Sequence, residues 1–293
     1  MAAPNDKNDS VVVPNGLDDK AREFRFTRQE FKFIRDLVKE KTGISLSEAK
    51  RDMVYSRLSR RIRQLELGSF HEYCQLLRDE TGDEFVNFVN AITTNLTAFF
   101  REPHHFEYLA KHALPELMSA RRLHRRLRLW SAGCSTGEEP YSLAMVLREI
   151  VPKDWDAKLL ATDLDSNVLD TAQKGIYALE RVKAVSPARL RAFFQKGRGE
   201  LADMARANDA LREVISFNQL NLMGEWPMRG PFDVIFCRNV VIYFDKPTQS
   251  ILFDRFANML ADDGYLFVGH SESLYRVTER FELIGQTIYR KRK

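Results

Sequence analysis

Between residues 23 and 92 apolar side chains recur at every third or fourth position. Phe31, Ile34, Leu37 and Val38 form one such stripe, Val54, Leu58, Ile62 and Leu65 a second, and Phe85, Phe88, Val89 and Ile92 another. That period is the one an α-helix needs to bury a single face. Thr27 with Glu30 and Ser69 with Glu72 have capping-box spacing at two helix starts, and Gly43 supplies a stop. The second helix is predicted over about 50–65. Nothing alternates with period two, so this part reads as a small helical bundle.

The pattern changes near residue 127. Short apolar runs at 127–131, 158–162, 214–217, 232–237 and 265–268, with a last one at 287–289, have the length of buried strands. Helical stretches separate them. One covers 138–150. Another starts near Asp245, carries Pro247 in its first turn, is expected to bury Ile251, Leu252, Phe256 and Leu260, and should stop at Asp263-Gly264. Alternating strands and helices predict an α/β fold, a parallel doubly wound sheet whose ligand lies at the carboxyl ends of the strands. Residues 176–213 break the alternation, and an inserted subdomain explains them better than a long bare loop. The resulting plan is a flexible tail (1–22), a helical domain (23–92), a linker and connecting helix (93–126) and an α/β domain (127–293).

Composition narrows the class. The chain has 293 residues, and 45 Lys plus Arg against 41 Asp plus Glu leave a net charge of +4. That is a mildly basic surface, far from a polycation. No apolar run approaches the roughly 18 residues a membrane span needs, and residues 1–10 have no apolar leader core. Cys74, Cys134 and Cys237 are scattered, which implies no disulfide framework and a reduced, cytoplasmic protein. The six histidines have no ligand spacing, and the adjacent His104 and His105 are expected to point apart on a helix, so no metal is expected. No GxSxG or Cys–His arrangement suggests a covalent nucleophile.

Candidate chemistry gathers at strand ends. After the first strand, residues 130–139 carry Gly133 and Gly137 and open a helix with Glu138 and Glu139. The glycines allow a ligand close to the backbone, and the helix start offers free amides. The spacing is neither GxGxxG nor a P-loop, and two glutamates would repel pyrophosphate but could hold an amino group. They could equally complement the helix dipole. Asp163 ends the second strand, where an acid can accept from both ribose hydroxyls; it could also be a helix N-cap. Together these features point to a nucleoside with an amino group and no phosphate, a description that S-adenosylmethionine fits. Arg238, Asn239 and Tyr243 lie at and beyond the fourth strand's tip. Residues 93–101 suit either a lid over an apolar pocket or an ordinary capped linker. Arg57, Arg60 and Arg61 share one side of the second helix at i, i+3, i+4 spacing, an outward cationic strip open to an acidic partner or to solvent alone.

Five stretches, Lys50-Arg51-Asp52-Met53-Val54-Tyr55, residues 93–101, Ser135-Thr136-Gly137-Glu138-Glu139-Pro140-Tyr141-Ser142, the pair Phe236-Cys237-Arg238-Asn239-Val240 with Ile242-Tyr243-Phe244-Asp245, and Gly269-His270-Ser271-Glu272-Ser273, resemble the chemotaxis receptor methyltransferases, the CheR family. The resemblance spans residues 25–290. It implies a helical domain, an S-adenosylmethionine-dependent methyltransferase domain and a small antiparallel β-subdomain inserted in it. It implies methyl transfer to glutamate side chains on the cytoplasmic helical bundle of chemoreceptors, leaving S-adenosylhomocysteine. By motif, Asn95, Thr97 and Arg101 contact the cofactor from the linker. Gly133 and Glu139 belong to the helix-start site, Asp163 takes the ribose, Asn221 and Leu222 flank the adenine, and Arg238 and Asn239 line the strand tip. Arg101 and Tyr243 face the methyl group, and the basic helix with Arg57, Arg60 and Arg61 contacts the receptor. Some members also tether a receptor C-terminal peptide through the β-subdomain. The expected enzyme is a monomer that binds no nucleic acid and does not insert in the membrane. An RNA methyltransferase and a non-catalytic cofactor-binding scaffold are the competing readings.

Overall fold

The computed structural model describes residues 22–78 and 82–292, so the tail expected over 1–22 lies outside the described residues except for Arg22. Helices α1 (Arg28–Thr42), α2 (Arg51–Gln64), α3 (Phe70–Arg78) and α4 (Asp83–Ile92) make the bundle. Thr27 and Glu30 close the capping box on α1, each side chain accepting from the other's backbone N–H at 3.2 and 2.6 Å. Gly43 ends α1 at φ +76°, a left-handed conformation that suits glycine. Phe31, Ile34, Val54, Leu58, Ile62 and Phe88 are buried in one apolar core. Each side chain of that size contributes about 1.5–3 kcal/mol when fully buried. Leu65 and Phe85, at the ends of their stripes, are only partly covered.

A connecting segment, α5 (Pro103–Tyr108), one π-helical turn (Leu109–Ala113) and α6 (Leu114–Ala120), leads to the sheet. There follow β1 (Arg126–Ala132), α7 (Glu138–Ile150), β2 (Asp156–Asp163) and α8 (Ser166–Lys174). The insertion holds β3 (Ile176–Ala178), α9 (Pro187–Phe193), β4 (Phe194–Lys196), β5 (Met204–Ala207) and α10 (Asp209–Arg212). The chain ends with β6 (Ile215–Gln219), β7 (Phe232–Cys237), α11 (Lys246–Met259), β8 (Leu260–Val268), β9 (Phe281–Gly285) and β10 (Ile288–Lys291).

The main sheet has seven strands in the order β6-β2-β1-β7-β8-β10-β9. From β6 to β8 neighbours run parallel, but β10 runs antiparallel to both β8 and β9. The sheet is therefore mixed where a wholly parallel one was expected. Only Gln286 and Thr287 separate β9 from β10, and a turn that short joins antiparallel strands only. Side chains of the central strands alternate between two cores. Leu127 and Leu129 of β1 pack with α7 and the connecting helices, whereas Trp130 and Ala132 pack with α11. α11 buries Leu252, Phe253, Phe256 and Ala257, leaves Ile251 exposed and stops at Met259. The expected stripe was thus one position out at Ile251, and Leu260 belongs to β8. The insertion forms its own antiparallel sheet, order β3-β5-β4.

The bundle sits against the carboxyl edge of the main sheet. Ser45 N–H donates to the Tyr243 carbonyl (2.8 Å), and Ile44 makes a bridge with Phe244. Asn221 Nδ2 donates to the Lys41 carbonyl (2.6 Å), and Lys39 pairs with Asp245 (2.7 Å).

Candidate active site

A cavity opens where the carboxyl ends of β1, β2 and β7 meet the bundle and the segment 93–101. The turn leaving β1 forms its floor. Gly133, Ser135 and Gly137 all have positive φ, at +86°, +48° and +97°. A Cβ at Gly133 would stand 2.3 Å from Val240 Cγ2, so only glycine lets this backbone pass so close to the β7 loop. The N–H groups of Gly133 and Cys134 both donate to the Thr162 carbonyl, at 2.8 and 2.9 Å.

Asp163, at the end of β2, is buried and lines the cavity. Its Oδ2 accepts from Ser135 N–H (2.7 Å) and its Oδ1 from Asp165 N–H (3.0 Å). A carboxylate has about four acceptor sites, so capacity for two hydroxyls remains. Burial pushes its carboxyl up to about 6, against the pull of those amides. The N-cap alternative is settled by Asp165, which caps α8 by accepting from the N–H groups of Asn167 and Val168.

The two glutamates that open α7 part company. Glu139 lines the cavity, accepts from Ser131 Oγ (2.7 Å) and pairs with Arg238 (3.1 Å). Burial raises its carboxyl, and Arg238 and Ser131 oppose the rise. Glu138 is fully buried and turns instead to Arg181 of the insertion. Of the pair, only Glu139 is placed to hold an amino group.

Arg238 borders the cavity but carries no free charge into it. Its guanidinium is shared between Glu139 and Glu102 (3.3 Å), and it donates to the Arg101 carbonyl. Burial alone would raise the Glu102 carboxyl. The hydrogen bond from His270 (2.9 Å) and the charge of Arg238 outweigh it and hold the group at about 2. Arg238 therefore ties the linker to the start of α7.

Asn95, Thr97 and Arg101 all line the cavity from the linker. Asn95 Nδ2 donates to Asp165 (2.8 Å), its carbonyl accepts from Ser135 Oγ (2.9 Å), and Arg101 Nη1 donates to the Leu96 carbonyl (3.0 Å). Phe99 is buried edge-on against Tyr177, with ring centroids 5.0 Å apart. Leu222, Asn239 and Tyr243 complete the wall. The Asn221 side chain borders the cavity while its amide is anchored to the Lys41 carbonyl and the Met223 N–H.

Sequence reasoning assigned no role to Glu272. Its buried carboxylate accepts from the N–H groups of Gly269 (2.6 Å), Asn239 (2.8 Å) and Ile242 (3.2 Å) and so shapes the loop that carries Asn239 and Tyr243. An acid just past an apolar strand was the available signal.

The cationic strip is not built as expected. Arg57 donates to the carbonyls of Ile92 (2.6 Å) and Thr93 (2.7 Å), and Arg61 pairs with Glu84. The end of α4 leaves carbonyls without intrahelical partners, and its first turn supplies an acid; both face α2. Of the three arginines only Arg60 is exposed. The rings of His104 and His105 also lie together, 4.1 Å apart, where divergence was expected. With Glu102 they are the one group of convergent metal-type donors among the described residues, and Glu102 is already claimed by Arg238 and His270. Among the described residues no helix is long and apolar enough to cross a membrane.

The residues fit S-adenosylmethionine: an uncommitted pair of acceptor sites on a buried acid, a second acid at a helix start, apolar walls and a glycine floor. Two family models match the chain, the CheR methyltransferase all-alpha domain over residues 29–93 and the CheR methyltransferase SAM-binding domain over 95–290. A chemotaxis protein methyltransferase 2 of Pseudomonas aeruginosa is 47% identical, covering 92% of this chain and 95% of its own length. The chemotaxis protein methyltransferases of Salmonella typhimurium and Escherichia coli are each 45% identical over 88% of this chain, with 88% and 89% of their own lengths covered.

Proposed function

The chain belongs to the CheR methyltransferase family and is an S-adenosylmethionine-dependent methyltransferase, and we propose that its acceptors are glutamate carboxylates on the cytoplasmic helical bundle of chemoreceptors. The observation that carries the reading is the pairing of Asp163 and Glu139 on one cavity at the sheet's carboxyl edge. When bound, S-adenosylmethionine supplies a methyl group on a positively charged sulfur. Asp163 then holds the ribose hydroxyls, and Glu139 the methionine ammonium. Leu222 flanks the adenine beside Asn221, while Asn95 and Thr97 close the linker side.

An acceptor glutamate is ionised at pH 7, its ordinary pKa being about 4.3, so no side chain has to act as a base. The walls serve instead to exclude water, which would stabilise separated charges more than the neutralised transition state, and to align the reacting atoms. Tyr243 positions the acceptor. Arg101 acts through linker geometry, which its bond to the Leu96 carbonyl supports; a tight pair with the nucleophile would slow transfer.

Residues 23–92 form the receptor-facing domain, 93–126 the linker and connecting helix, and 127–293 the catalytic domain. Arg60 is the outward member of the basic side of α2, with Arg57 and Arg61 shaping that surface from beneath. The enzyme works in the cytoplasm as a monomer, without nucleic acid, and a receptor C-terminal peptide is a second ligand for the inserted subdomain. Calorimetry tests the cofactor half: S-adenosylhomocysteine should bind and raise the melting temperature, and absence of binding would refute it.

A further inference from the structure

The inserted subdomain packs behind the turn whose Gly133 and Ser135 line the cavity. Tyr177 of β3 donates from its hydroxyl to the Thr136 carbonyl (2.7 Å). Arg181, just beyond β3, donates to Thr136 Oγ1 (2.9 Å) and pairs with Glu138. Thr136 Oγ1 in turn donates to Glu138 Oε2 (2.7 Å). A Cβ at Gly137 would lie 2.7 Å from Tyr177 Oη, so the two surfaces are in close contact.

These contacts fall directly behind the strained residue of the turn. Three of the five residues from Gly133 to Gly137 have positive φ, and Ser135 does so with a side chain. The two glycines take that conformation freely, but Ser135 persists in it only where its surroundings hold it. β2 fixes the front of the turn through Thr162 and Asp163. Behind it Glu138 is a fully buried carboxylate whose charge is met by Arg181. A buried charge stripped of its partner is strongly destabilising where it stands. The insertion also grips the linker, since Phe99 packs against both Tyr177 and Phe194 of β4.

We propose that Arg181 and Tyr177 are positioning residues for cofactor binding, through which the inserted subdomain sets the turn at 133–138. The proposal rests on the reading that this turn borders the cofactor. It makes the insertion a support of the cofactor site as well as a surface for partners.

The test is calorimetric titration of the full chain with S-adenosylhomocysteine, alongside steady-state methylation of receptor with S-adenosylmethionine varied. Arg181→Ala should weaken binding and raise the KM for S-adenosylmethionine about tenfold or more, with kcat at saturating cofactor nearly unchanged. Adding Glu138→Gln should recover most of the loss, because the neutral amide needs no counter-charge. Arg181→Lys and Tyr177→Phe, which keep the charge or the ring, should give smaller rises and also cover the case in which Arg181→Ala does not fold. Asp163→Ala is the control. Weakened binding in Asp163→Ala with wild-type affinity in Arg181→Ala, Arg181→Lys and Tyr177→Phe would overturn the coupling alone. Unchanged affinity in all of them would overturn the cofactor site and the coupling with it. A lower melting temperature in Arg181→Ala with unchanged affinity reduces Arg181 to a structural ion pair and counts against the proposal.

Discussion

Asp163 combines burial, titration and cofactor recognition in one side chain. Its carboxyl is pushed up to about 6 by burial, from an ordinary value near 3.8. Between those two values the folded protein holds a proton that the unfolded chain has released. This group therefore favours the folded state at low pH, and that contribution is lost as pH rises through about 6. Cofactor binding has the opposite sign, because a hydroxyl donor needs the ionised acceptor. Affinity for S-adenosylhomocysteine should be flat above pH 7 and weaken as pH falls through about 6. Asp163→Asn should bind more weakly at neutral pH and lose that dependence; calorimetry across pH 5–8 reads both. Tyr243→Phe makes a separate point. It should lower single-turnover transfer at saturating cofactor while leaving affinity and melting temperature in place, because the cavity wall survives without its hydroxyl.

The elements show what spacing can and cannot reveal. Helix α7, strand β7 and the capping box of α1 follow from local pattern, since each depends on side chains within a few residues of one another. The antiparallel hairpin of β9 and β10 was only half visible, because β9 is five residues long and its apolar residues do not alternate, Leu283 being exposed beside Glu282. The α2 arginines were misread for a related reason. Helical spacing puts Arg57 and Arg61 together, but whether they meet solvent or another helix is settled by α4, more than twenty residues on. Asp163, Glu139 and Arg238 could be located at strand and helix ends and Asn95 by its motif, whereas the pairings of Arg238 with Glu139 and of Asn95 with Asp165 join residues far apart in the chain and had no local pattern. Glu272 belongs to this scale too, because it organises a whole loop. Glu272→Gln leaves backbone donors short of an acceptor, a loss of about 1–3 kcal/mol for a buried group. Chemical denaturation should show that loss, and turnover should fall with it through Tyr243.

At the scale of the whole molecule the bundle and the α/β domain share one cavity, with the linker between them fastened at both ends. Arg57 holds its start by the α4 carbonyls and Arg238 its end by the Arg101 carbonyl. Substituting Arg57 would disturb that geometry, so receptor docking is better probed at the exposed Arg60. Exposed charges are worth about 0–1 kcal/mol each and are screened by salt, so they act on encounter more than on tight binding. Arg60→Glu should slow receptor methylation at low salt, lose much of the wild-type salt dependence and leave cofactor affinity unchanged. A wild-type rate at low salt would move recognition off α2. The most direct test of the central claim is transfer of tritium from methyl-labelled S-adenosylmethionine to purified chemoreceptor, followed by mild alkali. A glutamate ester predicts label on the receptor that is released as volatile methanol and is absent when Asp163→Ala replaces the enzyme at limiting cofactor. Label that never reaches the receptor, or that resists alkali, would contradict it.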